Sequence, residues 1–287
     1  MMRSLYSGVT GLNANKESME AIGDNIANVN TPGFKSSSLS FANILNQTTD
    51  VVSSAVNSGF SGNEIGNGVQ VLGVKFDWAQ GPLQSTGNAT DMAINGNGFF
   101  SVKDDVKTYY TRAGDFSFDK DGNLLSRTGK KVQGFMLEGL GGTALPLPDP
   151  PPTPVDITID LDRWESITVQ DNGTLYGVDG NLSAGDANFG VPQPLYQTAL
   201  YKFKNINGLA KLSGNLWQET ADSGTATVGV PATGDYGSVI SNSLEISNVD
   251  LATEFVNMIT AQRAFQANSR VITTSDEMLN ELVNIKR

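Results

Sequence analysis

The groups able to do chemistry in this chain are carboxylates, amines, hydroxyls and phenols, because its 287 residues include no histidine and no cysteine. That removes a thiolate nucleophile, a disulfide, a Cys/His zinc site and a Ser-His-Asp triad. A general acid or base has to be Asp, Glu, Lys or Tyr. Residues 51–247 carry 21 Asp and Glu, enough to supply a carboxylate pair of the glycosidase kind. Spacing along the chain does not test such a pair, and scattered acids are normally the composition of a solvated face. Asp119-Lys-Asp-Gly-Asn123 offers oxygen ligands in the manner of a calcium loop. An EF-hand needs Gly at the sixth position and Glu at the twelfth. Here Gly122 is fourth and residue 130 is lysine, so a plain β-turn is expected. Gly139-Leu-Gly141-Gly-Thr-Ala144 fits a loose dinucleotide fingerprint, but that loop must open a helix and a proline run follows instead. The expectation is a chain with no cofactor, no metal and no catalytic residues.

Composition points the same way. The 19 Lys and Arg against 30 Asp and Glu give a net charge of −11, which argues against a nucleic-acid partner. Only 17% of residues are charged, below the usual proportion of about 25%. The 31 glycines, with many Asn, Ser and Thr, imply short strands and turns. Such a surface suits a secreted or assembled protein. The first residues, Met-Met-Arg-Ser-Leu-Tyr-Ser-Gly, have no apolar core of a cleavable signal peptide. No run of about 18 apolar residues exists to enter a membrane.

What must position anything in this chain are two helices at its ends. Stepping four then three from Leu5 meets Val9, Leu12, Lys16, Met19, Gly23 and Ile26. From Leu251 the same step meets Phe255, Met258, Gln262, Phe265, Ser269, Ile272, Asp276, Leu279 and Val283. Apolar residues fill twelve of these seventeen positions, where the overall 39% content would give roughly seven. The repeat is that of a coiled coil, with Ile22, Ile259, Leu282 and Ile285 flanking the stripes. Each helix could therefore touch more than one neighbour. Asn248 or Asp250 can cap the second helix and Glu254 suits its first turn. Thr31-Pro32-Gly33 stops the first helix near Asn28. Asn13, Asn15, Asn25, Asn28 and Asn30 are poor helix formers; they can leave the end disordered until assembly, fix register between packed helices, or do both.

Between the helices, residues 51–247 hold 12 Lys and Arg against 21 Asp and Glu, so most of the net charge lies there. Met92–Val102, broken by Asn95-Gly96-Asn97-Gly98, reads as strand, turn, strand. The turns Asp119–Asn123 and Asp171-Asn-Gly173 sit between β-formers and imply an antiparallel meander. Residues 145–154, Leu-Pro-Leu-Pro-Asp-Pro-Pro-Pro-Thr-Pro, read as an extended surface crossing. Asn181–Pro194 and Asp222–Gly237 read as loops. The expected class is α+β, mainly β: terminal helices 1–30 and 248–287 pairing as a coiled-coil-like inner layer, an extended connector over 31–75, and a β-rich body over 76–247.

Three stretches resemble one family. Asp24-Asn-Ile-Ala-Asn28-Val-Asn-Thr31-Pro-Gly33-Phe34-Lys35 is similar to the N-terminal signature of the bacterial flagellar rod and hook proteins. Ser247-Asn-Val-Asp250-Leu, with Val256-Asn-Met-Ile259-Thr-Ala-Gln-Arg263-Ala-Phe265-Gln-Ala-Asn268, resembles their C-terminal signature. Asp91–Phe100 and Tyr110–Phe116 resemble their β-rich body. The resemblance implies export through the flagellar apparatus and a structural subunit of a helical homopolymer, joined at the tube's ends to other axial proteins. Its assembly surface would use Leu5, Val9, Leu12, Met19, Ile22, Ile26, Asn28, Thr31, Gly33, Phe34, Leu251, Phe255, Met258, Ile259, Phe265, Ile272, Leu279 and Val283. Arg3–Gly8, Ser40–Asn43 and Gly81–Asn88 lean towards a hook subunit, a flexible joint that transmits torque. The chain's length leaves little room for the outer domain of long hook proteins, so a distal rod subunit is the alternative. An extracellular adhesive module is a remoter one.

Overall fold

The computed structural model describes residues 2–44, 47–48, 64–104, 107–137, 153–180 and 191–285. The expectations placed on Gly139–Ala144 and on most of the proline-rich run fall outside these residues. In chain order, mainly β structure follows α1 (Met2–Ala27) and precedes α2 (Leu251–Ile285), as the α+β class requires. Two compact units divide the chain. One holds residues 1–29, 35–78 and 249–287; the other holds 30–34 and 79–248.

In the helical unit α1 and α2 run antiparallel. Ser4 meets Ser275, Gly11 meets Asn268 and Asn25 meets Glu254, each pair of numbers adding to 279. At 1.5 Å per residue the 35 residues of α2 extend about 52 Å. Asp250 is the N-cap: its carboxylate accepts from Ala252 N at 3.0 Å and from Thr253 Oγ1 at 2.8 Å. The bond from Thr253, then that from Ala252, hold this carboxyl below the usual carboxylate range. Residues 31–75, expected as an extended connector, include a paired ladder. Strand Ser37–Asn43 lies antiparallel to Val69–Phe76, with a bulge between Ser40 and Phe41.

The body is antiparallel throughout its described ladders. Its main sheet runs in the order Trp164–Gln170, Thr174–Asp179, Gln193–Thr198, Lys131–Met136, Phe99–Asp104, Lys107–Thr111, Leu216–Gln218, Ala210–Lys211. Met92, Ile94, Phe100, Val102, Phe116, Leu124, Val132, Ile157, Leu175, Leu195, Leu200 and Val239 form its core. Each such side chain contributes roughly 1.5–3 kcal/mol on leaving water. The aspartate turns behave as read. Gly122 N donates to Asp119 O at 2.9 Å, closing a β-turn between paired strands. Asp171-Asn-Gly173 closes the hairpin of Trp164–Gln170 with Thr174–Asp179, Gly173 standing at φ +69°.

Met92–Asn95 and Phe99–Asp104 are strands on either side of a turn, as read; Met92–Asn95 pairs with Ser238–Ser241, and Phe99–Asp104 pairs with Lys107–Thr111. Turn residues mark where the chain bends, not which strand it bends towards. Two loop readings need correction. The stretch Asp222–Gly237 holds a strand, Thr227–Gly229, on Leu200–Lys202. Of Asn181–Pro194, residues 181–190 lie outside the description, and the stretch ends inside strand Gln193–Thr198.

Candidate assembly surface

The helix pair closes on small residues. Gly8, Gly11, Ala14, Ile22 and Asn25 are the buried positions of α1, with Ala261 and Ser275 buried on α2. A Cβ at Gly11 would stand 2.6 Å from Asn268 Nδ2, and one at Gly8 would stand 3.0 Å from Ile272 Cγ1. Glycine inside a helix costs about 0.5–1 kcal/mol relative to alanine. Here it lets the two backbones approach.

This corrects the seam drawn from the sequence. The positions Leu5, Leu12, Met19 and Ile26 are half-buried beside the contact, and Val9 is exposed. Ile22, a flanking position, is buried in it. On α2, Met258, Ile272 and Leu279 are half-buried, while Leu251 and Val283 are exposed. Phe255 and Ile259 are each 50% exposed and Phe265 is 37% exposed. About half of Phe255 and Ile259 and over a third of Phe265 thus stay open to solvent although the helices are paired. A count of apolar residues favours bulk, whereas helices this close are joined where bulk is missing.

Asn25 is the polar node of this unit, at 1% exposure. Its amide donates to Ser37 O at 2.8 Å and to Glu254 Oε1 at 3.2 Å, and its Oδ1 accepts from Ser37 N at 2.9 Å. It joins the end of α1, the first strand and the start of α2. Of the two roles open to the asparagines, Asn25 takes the register-fixing one. Asn28 bonds locally to Asp24.

The Thr31-Pro32-Gly33 turn after α1 is used inside the body unit. Gly33 at φ +66° donates its N–H to Glu245 O at 2.8 Å, and a Cβ there would lie 2.4 Å from Ala113 N. Only glycine meets both demands. Asn215 Nδ2 donates to Pro32 O, and Lys211 Nζ sits 4.6 Å from the Phe34 ring centroid. Gly33 and Phe34 are buried and Thr31 is half-buried, its carbonyl accepting from Phe34 N. The side chain of Phe34 is spent within its own chain.

A buried ion pair, unmarked in the sequence, holds the same region. Arg112 Nη1 lies 3.3 Å from Glu245 Oε2, with side chains 7% and 0% exposed. Glu245 Oε1 accepts from Gly81 N at 3.0 Å, and Arg112 Nη2 donates to Gly96 O at 2.8 Å. Burial pulls the Arg112 pKa below its ordinary value, and Glu245 works against that fall. Segments 30–34, 79–82 and 245–248 are stapled here: Ile246 N donates to Pro82 O and Asn248 Nδ2 to Ala79 O. Among the described residues no group of three metal-ligating side chains forms.

Large apolar residues left exposed on a helix pair are the features of a surface that meets a partner. Comparison with known proteins gives that surface a context. Residues 5–35 match the flagella basal body rod protein family, residues 93–177 the D1 domain of the flagellar hook protein FlgE/F/G, and residues 240–285 the C-terminal region of the flagellar basal body rod FlgEFG proteins. The chain is 40% identical over 290 residues to the flagellar basal-body rod protein FlgG of Bacillus subtilis, with all of both chains covered. It is 33% identical to the FlgG of Borreliella burgdorferi over 291 residues and 27% identical to the flagellar hook protein FlgE of the same organism over 441, again with full coverage. The chain belongs to the family of bacterial flagellar rod and hook proteins.

Proposed function

We propose that this chain is a subunit of the distal rod of the flagellar basal body, a stiff shaft built as a helical homopolymer. The observation that carries the reading is the alignment with the Bacillus rod protein, which runs the whole length of both chains in 290 positions. The hook relative needs 441 positions and reaches lower identity. These relatives support the rod alternative better than the hook reading to which the sequence leaned. In the polymer, α1 and α2 form the inner layer and the body forms the outer wall. The exposed Phe255, Ile259 and Phe265 give each subunit apolar area to bury against neighbours, at about 25 cal/mol per Å². A head-to-tail contact that does not close generates a filament. The subunit reaches its place through the flagellar export apparatus and meets other axial proteins at the ends of the shaft.

Deleting residues 1–29 tests the role of the helix layer, because residue 30 begins the body unit. The truncated chain should keep its β circular dichroism and fail to polymerise in electron micrographs. Tubes formed by the truncated chain would refute the role given to α1.

A further inference from the structure

Asparagine followed by glycine is the dipeptide most open to attack of the backbone on its own side chain. Glycine puts no Cβ in the way, and asparagine is among the thermolabile residues. The chain has five such pairs, beginning at Asn67, Asn95, Asn97, Asn172 and Asn207. The reaction needs a free amide N–H on the glycine, a free asparagine side chain and room for a succinimide ring. Four of the pairs fail one of these demands. Gly96 N donates to Gln80 Oε1 at 3.0 Å, and Asn95 Oδ1 accepts from Gln80 Nε2 at 3.4 Å. Gly173 N donates to Gln170 O at 3.0 Å, and Gly208 N to Asn205 O at 3.3 Å. Asn67 is half-buried, and a Cβ on Gly68 would stand 2.3 Å from Thr10 Oγ1.

Asn97 meets all three. Its side chain is exposed, and among the described residues neither that side chain nor Gly98 N has a hydrogen-bond partner. A Cβ on Gly98 would meet nothing closer than Leu200 at 3.5 Å, so the ring has space. Asn97 lines an open cavity of about 590 Å³ with Lys202, Asp235 and Tyr236, where water reaches it.

We propose that the fold leaves Asn97 as a modification site of the body, converting without an enzyme to aspartate and isoaspartate. Gly98 N loses its proton to hydroxide and attacks Asn97 Cγ. The N–Cγ bond forms, the Cγ–Nδ2 bond breaks, and ammonia leaves with a proton taken from water. Water then opens the succinimide. Breaking the bond from Gly98 N to Cγ gives aspartate. Breaking the bond from Gly98 N to the main-chain carbonyl carbon gives isoaspartate, with the chain rerouted through Cγ. Either product adds a carboxylate to the cavity that Asp235 also lines, where Lys202 Nζ lies 3.0 Å from the Asp235 carboxylate. In isoaspartate the oxygen that accepts from Gly237 N at 2.7 Å becomes part of a free carboxylate on a lengthened chain. Conversion therefore loosens the tie between the turn at 95–98 and Gly237, and each subunit carries a record of its age.

The full-length protein is held folded in mildly alkaline buffer, sampled over days, digested and mapped by mass spectrometry. Labelling with an isoaspartyl methyltransferase reads the rearranged product. Asn97 should convert roughly tenfold faster than Asn95, Asn172 or Asn207, whose glycine amides react only after local opening. In urea the rates should converge. Gln80→Ala, at an exposed position, should free Gly96 N and raise the rate at Asn95 by roughly tenfold. Hydrogen exchange at Gly237 N should quicken in the converted fraction. Equal rates at Asn97 and Asn95 in the folded chain would overturn the proposal. So would a lead for Asn97 that persists in urea, because its cause would then be the local sequence and not the fold. Unchanged exchange at Gly237 would overturn the loosening.

Discussion

Glu245→Ala should destabilise the body by about 3–5 kcal/mol, the loss expected when one partner of a buried ion pair is removed. The size follows from what stays behind. Arg112 remains buried, its guanidinium 5.4 Å from the Phe99 ring centroid and no longer facing a carboxylate. Gly81 N–H loses its acceptor in a place where a Cβ would lie 1.9 Å from Ile246 O, so the chain has no slack with which to find another. Trp164 and Trp217 are buried in this unit, so their fluorescence during urea unfolding measures the change. The double variant Arg112→Met/Glu245→Leu should recover much of the loss, since exchanging the whole pair for apolar groups is often neutral. A fall below about 1 kcal/mol in Glu245→Ala would mean that the pair does not hold these segments.

Phe255→Asp with Phe265→Asp should abolish polymerisation and leave the monomer's fold intact. Phe255 is 50% and Phe265 37% exposed in the monomer, and changes at exposed positions usually stay within about 0.5 kcal/mol. In the polymer each aspartate would be taken out of water without a partner, costing several kcal/mol per ion. A loss of about 3 kcal/mol per contact weakens association by more than about 100-fold, and the penalty recurs at every subunit. Sedimentation of the polymer, with circular dichroism of the soluble fraction, separates the two effects. Normal polymer yield from the double variant would show that this face of α2 is not buried on assembly.

How far the sequence foretold this structure depended on how local each feature was. Leu251–Ile285 is legible because its repeat is long and Asp250 precedes it, and Thr31-Pro32-Gly33 ends α1 for reasons of proline geometry. The β-turn at Asp119–Asn123 is legible because no calcium ligand pattern completes it. The seam was misplaced, since Gly8, Gly11 and Ala14 carry no hydrophobic signal although their smallness is what joins the helices. Two glycines three apart, followed three later by alanine on the same face, were the available clue. Arg112 and Glu245 are 133 positions apart, and no local pattern announces such a pair. The same applies to Met92–Asn95 and Ser238–Ser241, whose pairing only the complete topology decides. Hook or rod was not readable from the short motifs, because both kinds of relative share them.

The central claim is that α1 and α2 pair through small residues so that the large apolar residues of α2 remain for neighbouring subunits. Electron cryomicroscopy of the assembled full-length chain tests it most directly. The account predicts a tube whose inner wall is the helix pair, with Phe255, Ile259 and Phe265 covered by adjacent copies and Gly8 and Gly11 still against Asn268 and Ile272. A wall built from body contacts alone, with those three side chains open to solvent, would contradict it.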